Sequence, residues 1–129
     1  MLHCDLVKID NGEREFTKEH LDYVKEQSKK NKPILLCFHV PIYTDELAIP
    51  TTKVWRHANS LVGGPNNIDK AKTKEFIDFI TSSDSNVFAI LCGDVHFSHE
   101  SKVKGILPQY VVGGAYANEV RLITLTPEE

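Results

Sequence analysis

Val87-Phe88-Ala89-Ile90-Leu91-Cys92 is an unbroken apolar run that gives way at Gly93 to Asp94-Val95-His96. A short run without polar alternation reads as a strand covered on both faces, the pattern of a parallel sheet flanked by helices. Core packing has no use for the carboxylate and imidazole that follow it. Open α/β sheets place their chemistry at such strand ends. Ile34-Leu35-Leu36-Cys37-Phe38 repeats the arrangement and ends in His39-Val40-Pro41. Two buried strands, each tipped with ligand-type side chains, predict one metal site built from His39, Asp94 and His96.

The segments around these strands complete an α/β pattern. Residues His3 to Ile9 predict a short strand that stops at an Asp10-Asn11-Gly12 turn. Thr17 is a good N-cap for a helix running to about Lys30, ended by Pro33, although His20 replaces the Glu or Gln of a full capping box. A second helix is expected from about Asp69 to Thr81, with Phe76, Ile77 and Ile80 as its buried stripe. Between them, residues 40–68 keep neither a helical nor a strand period and are punctuated by Pro41, Pro50, Gly63, Gly64 and Pro65. This long loop leaves the His39 strand end and is expected to arch over the site. After the motif, Ser101–Leu107, Gln109–Val112 and Glu119–Leu125 read as an antiparallel meander separated by Pro108 and Gly113-Gly114. The expectation is one domain over 1–129, with a mixed sheet, two helices and a C-terminal meander.

Composition narrows the function. A net charge of −3 without a Lys/Arg run leaves no nucleic-acid footprint. No stretch approaches the apolar length of a membrane span, and Met1-Leu2-His3-Cys4-Asp5 lacks the basic and apolar regions of a signal peptide, which favours an intracellular, cytoplasmic setting. Three cysteines are too few for a disulfide framework.

The chemistry of the motif residues suits a divalent ion. Neutral imidazoles at His39 and His96 offer lone pairs, and Asp94 adds a hard anionic oxygen. Asp94 and His96 share a side if the backbone between them is extended. His99 and Glu100 follow closely enough to orient a ligand imidazole. Cys37 and Cys92 read as packed thiols, with a thiolate zinc site as the lesser alternative. On the long loop, Trp55 is suited either to stacking on a ring or to anchoring the loop by packing, and Arg56 and Lys53 either to holding a phosphate or simply to a solvated surface.

Phe38-His39-Val40-Pro41 followed by Cys92-Gly93-Asp94-Val95-His96 resembles the last two motifs of the calcineurin-like metallophosphoesterases, a strand-end His before Pro and then Gly-His-x-His. Ile9-Asp10-Asn11 and Phe16-Thr17 are similar to the segment upstream of those motifs. The resemblance implies half of a four-layer αββα sandwich and part of a dinuclear centre for Mn, Fe or Zn. By resemblance, His39 and Asp94 would ligate one ion and His96 the other, and the substrate would be a small-molecule phosphoester. Asp94 stands where the family has His, and the earlier Asp-x-His, Gly-Asp-x-x-Asp and Gly-Asn-His-Asp/Glu motifs are absent. The chain therefore looks like the C-terminal portion of such a domain. That implies association with an N-terminal half, or homo-dimerisation, and little activity alone. The competing readings are a non-catalytic metal-binding or interaction remnant, and an α/β domain whose histidines are structural.

Overall fold

The computed structural model of the chain describes residues 4–12, 14–58, 61–64 and 70–113. β1 (Asp5–Lys8) leads through α1 (Lys18–Ser28) to β2 (Ile34–Cys37); α2 (Asp45–Trp55) and α3 (Ala71–Ile80) precede β3 (Val87–Cys92), and β4 (His99–Val103) and β5 (Leu107–Val111) follow. The five strands form a mixed sheet in the order β1-β2-β3-β5-β4. All neighbours pair in parallel except β4, which lies antiparallel to β5 at the edge. No helix among the described residues is long and apolar enough to cross a membrane.

β3 has the bounds that its apolar run predicts. Register then divides the sheet into two unequal faces. Val7, Leu36, Ile90 and Gln109 are successive partners across four parallel strands, and each is at most 2% exposed. Val7, Leu36 and Ile90 belong to the main apolar cluster, which also takes in Leu21 and Val24 of α1 and Phe76 and Ile80 of α3. Phe16, just before α1, stacks on Phe76 at 3.9 Å between ring centroids and meets Phe38 edge-on at 5.1 Å. Burying a side chain of that size contributes roughly 1.5–3 kcal/mol. Leu6, Leu35 and Ala89 are register partners on the opposite face. None of them belongs to that cluster, and Leu6 is 58% exposed.

Buried amides and a hydroxyl fasten the connections. The Gln109 side chain accepts the Ile42 N–H and donates to the Ile42 carbonyl, both at 2.8 Å. It thereby imitates the peptide group of a neighbouring strand. Thr73 of α3 accepts the Phe16 N–H at 2.9 Å, which ties the start of one helix to the body of another.

Several expectations are corrected. The capping box of α1 is complete: Thr17 accepts the His20 N–H at 3.2 Å, and His20 Nδ1 accepts the Thr17 N–H at 3.1 Å. An unprotonated imidazole nitrogen accepts as a Glu carboxylate does. The described residues form three helices, because α2 forms inside the segment expected to be a loop at 40–68. Thr44 caps it by accepting the Leu47 N–H at 3.0 Å, and Asp45 and Glu46 place negative charge in its first turn. Leu47 and Thr51, one turn apart, form its buried stripe, and the Thr51 hydroxyl donates to the Leu47 carbonyl at 2.7 Å. Pro50 is accommodated within it.

The two described strands of the expected meander pair antiparallel as a hairpin, and the second of them inserts beside β3, leaving β4 outermost. Pro108 lies within β5, not between strands. The registered pairing of β5 with β3 begins only at Gln109, so Pro108 is paired on the β4 side alone, at Lys102. A residue without an N–H fits such a half-paired position. α3 begins at Ala71 with Lys70 as its cap residue. The expected N-cap Asp69 and the strand expected at 119–125 lie outside the described residues.

Candidate metal centre

β2 ends at Cys37, yet its backbone stays tied to β3 for two residues more. Phe38 N–H donates to the Leu91 carbonyl at 3.1 Å, and Gly93 N–H donates to the His39 carbonyl at 3.0 Å. From the other side, the buried Asn11 takes over the ladder. Its Oδ1 accepts the N–H groups of His39 at 3.0 Å and Val40 at 2.8 Å, and its Nδ2 donates to the Val40 carbonyl at 2.8 Å. His39 is thus fixed through its main chain while its side chain stays 61% exposed.

Across the strand boundary, His39 Nε2 lies 3.0 Å from Asp94 Oδ1, whose side chain is 19% exposed. The two residues that the sequence assigns to one ion are therefore in contact. Asp94 reaches this position through a tight three-residue turn, in which Val95 N–H donates to the Gly93 carbonyl at 2.8 Å. Asp94 and His96 both adopt left-handed φ, 67° and 68°, around a buried Val95. The extended geometry expected for Asp94-Val95-His96 does not occur. The strain also falls on Asp94 and His96, not on Gly93, where an added Cβ would meet only the Val112 carbonyl at an ordinary 3.7 Å.

α2 supplies the brace for this turn. The Trp55 indole N–H donates to the Val95 carbonyl at 2.8 Å, and its ring lies edge-on to His96 at 5.2 Å. Trp55, His57, Asp94, Val95, His96 and Arg14 line a cleft of about 230 Å³. Asp94, His96 and Trp55 come together as expected, and His39 joins them through Asp94. Arg56 and His99 do not line the cleft. Arg56 caps α2 with φ 68°, its N–H donating to the Thr52 carbonyl at 2.7 Å. His99 opens β4, edge-on to Phe97, with its Nδ1 buried and without a hydrogen-bond partner. Arg14 and His57 are functional candidates that sequence reasoning missed. Arg14 reads only as a charge in a turn until β1 pairs with β2 and carries it to the strand ends.

Burial pushes the Cys92 thiol well above its ordinary pKa, with Cys37 and Asp94 adding to the effect, and its sulfur donates to the Tyr110 carbonyl at 3.7 Å. Burial also raises the Cys37 thiol. Both remain protonated and packed.

Donor chemistry and spacing fit a divalent ion at His39 and Asp94. At 3.0 Å the pair makes an ordinary ion-paired hydrogen bond, and a small opening to the ~3.3–3.6 Å between tetrahedral ligands at ~2.0–2.2 Å would let the same two atoms hold one ion. Among the described residues, no three His, Cys, Asp or Glu side chains are gathered into a set that holds an ion. Compared with known proteins, the chain matches no family model and no curated protein.

Proposed function

We propose that the chain forms part of a metal-dependent phosphoester hydrolase of the calcineurin-like kind. The observation that carries this reading is the 3.0 Å approach of His39 Nε2 to Asp94 Oδ1 at the ends of two adjacent parallel strands. His39 and Asp94 would hold one divalent ion and His96 a second, with Mn, Fe or Zn matching the mixed imidazole and carboxylate donors. The ions, when bound, supply Lewis-acid polarisation of the phosphoryl oxygens. The chain's own residues do the rest of the local work. Asn11 sets the His39 backbone, and the Trp55 hydrogen bond holds the turn that presents Asp94 and His96.

The remaining ligands come from residues outside this sequence, carried by an N-terminal half of the same domain. On the sheet face opposite the main core Leu35 and Ala89 are buried within the chain, and Leu6, 58% exposed on the edge strand β1, is the apolar position there that would suit contact with that half or with a second copy.

Metal content tests the reading. After incubation with Mn or Zn and desalting, elemental analysis is expected to find near-stoichiometric metal, lost in His39→Ala and Asp94→Asn. Metal content unchanged by both substitutions would sink the proposal. Supplying the upstream motifs is then expected to yield phosphoester hydrolysis; metal binding without hydrolysis would favour the non-catalytic remnant.

A further inference from the structure

We infer that the cleft beside Asp94 and His96 is the substrate subsite, and that it takes small phosphate esters whose leaving group carries a planar ring. This rests on the hydrolase reading of the site and names its substrate class. Two features of the lining argue for it. Arg14, in the turn after β1, is one of the residues lining the cleft; its side chain is exposed, and none of the described ion pairs uses its guanidinium. A planar, always charged fork in a concave site is suited to a phosphoryl group, which it engages through two parallel N–H···O bonds. The second feature is Trp55. Its indole N–H is already committed to the Val95 carbonyl, so what it offers a ligand is ring surface, and it remains 41% exposed at the cleft. A large, rigid aromatic surface there favours a flat partner over a flexible aliphatic one.

Size and charge narrow the class further. A cleft of about 230 Å³ lies below the range of about 300–1,000 Å³ typical of drug-sized ligands. It admits a phosphoryl head and the ring next to it, and it excludes a folded protein or a duplex. The formal charge of −3 also argues against a polyanionic macromolecule as the substrate. The phosphate esters of phenols and of nucleosides share the required chemistry, a dianionic head on a leaving group that carries a planar ring, directly in the first and across a sugar in the second.

Trp55 is the only tryptophan in the chain, so its fluorescence reports the subsite directly. The full chain, held in EDTA, is titrated with phenyl phosphate, adenosine monophosphate and glycerol phosphate, beside Arg14→Gln. The expected result is a saturable change in Trp55 emission with either ring-bearing ester. Affinity should be about tenfold weaker in Arg14→Gln, the loss of a charge-assisted pair of hydrogen bonds. Glycerol phosphate should bind weaker than both, and the better of the two ring esters identifies the source of the ring. Equal affinity for glycerol phosphate, unchanged affinity in Arg14→Gln, or no saturable response overturns the inference. The chelator separates this result from the metal reading. Failure of the metal centre appears as lost metal content with the titration intact, whereas failure of the subsite appears in the titration with metal content intact.

Discussion

Replacing Asn11 with alanine should be among the most damaging single changes to the described fold, although the side chain removed is polar and belongs to a turn. Asn11 is 1% exposed and makes three hydrogen bonds of 2.8–3.0 Å to His39 and Val40. Each contributes about 1 kcal/mol net, about 3 kcal/mol in total. The orphaned groups then differ in their fate. His39 is exposed, so its N–H can turn to water. Val40 is 1% exposed, so its N–H and carbonyl stay dry, and each dry orphan carries a penalty of about 1–3 kcal/mol. With about 1 kcal/mol for the His39 bond and about 1–3 kcal/mol for each of the two dry orphans at Val40, the expected loss for Asn11→Ala is about 3–7 kcal/mol, a large part of the roughly 5–15 kcal/mol that holds a typical domain together. Urea unfolding followed by Trp55 fluorescence and by circular dichroism measures it, with an unchanged slope showing that the midpoint shift is a stability change. Asp10→Ala is the control. Among the described residues its carboxylate accepts the Gly12 N–H alone, at 3.0 Å in an exposed turn, and its loss should stay below about 1 kcal/mol. An Asn11→Ala loss no larger than that of the control would refute the reasoning, because the buried ladder would then carry no more than an exposed turn.

Two further outcomes follow from the packing and the ion pairs. At Gly64 an added Cβ would stand 2.8 Å from Tyr43 Cδ2, and the Tyr43 main chain is fixed by a 2.8 Å bond to the Val62 carbonyl, so Gly64→Ala should cost about 1–3 kcal/mol in thermal or urea unfolding. Hydrogen bonds from Lys104 and Lys74 hold the Asp78 carboxyl below its ordinary 3.8. A depressed carboxylate adds stability above its unfolded pKa and loses it as pH falls through the folded value, so Asp78→Asn should flatten the acid side of the stability profile, by less than about 1 kcal/mol for so exposed a cluster.

What the sequence disclosed of the fold depended on how local the deciding physics was. β3 was legible to the residue because an apolar run bounded by a turn cluster and a glycine carries its own limits. α1 was legible from Thr17, but its completed capping box was not, because reading His20 as an acceptor requires knowing which ring nitrogen faces the backbone. α2 was hidden by Pro50 and by a stripe of only Leu47 and Thr51, a threonine that packs because its hydroxyl satisfies itself on the preceding turn. Thr44-Asp45-Glu46, a cap followed by acidic residues, was the available signal. The position of β5 beside β3 could not be read at all, since pairing order is set by long-range register. At the site, the meeting of His39 with Asp94 followed from parallel strands ending together. The turn at Asp94, the brace from Trp55 and the arrival of Arg14 did not, because each depends on contacts between segments distant in sequence.

The left-handed backbone at Asp94 and His96 also bears on how this site can change over generations. Such φ values come most readily to a short alphabet, glycine, asparagine, aspartate and histidine, although Arg14, Arg56 and Lys104 adopt them elsewhere in the chain. Two of those four letters are strong ligands for divalent ions. Aspartate and histidine at 94 and 96 are thus residue types that suit both the backbone of this turn and the ligation of a divalent ion. Aspartate at 94, where the Gly-His-x-His pattern has histidine, is a step within that alphabet, and it needs no rearrangement of the turn that carries it.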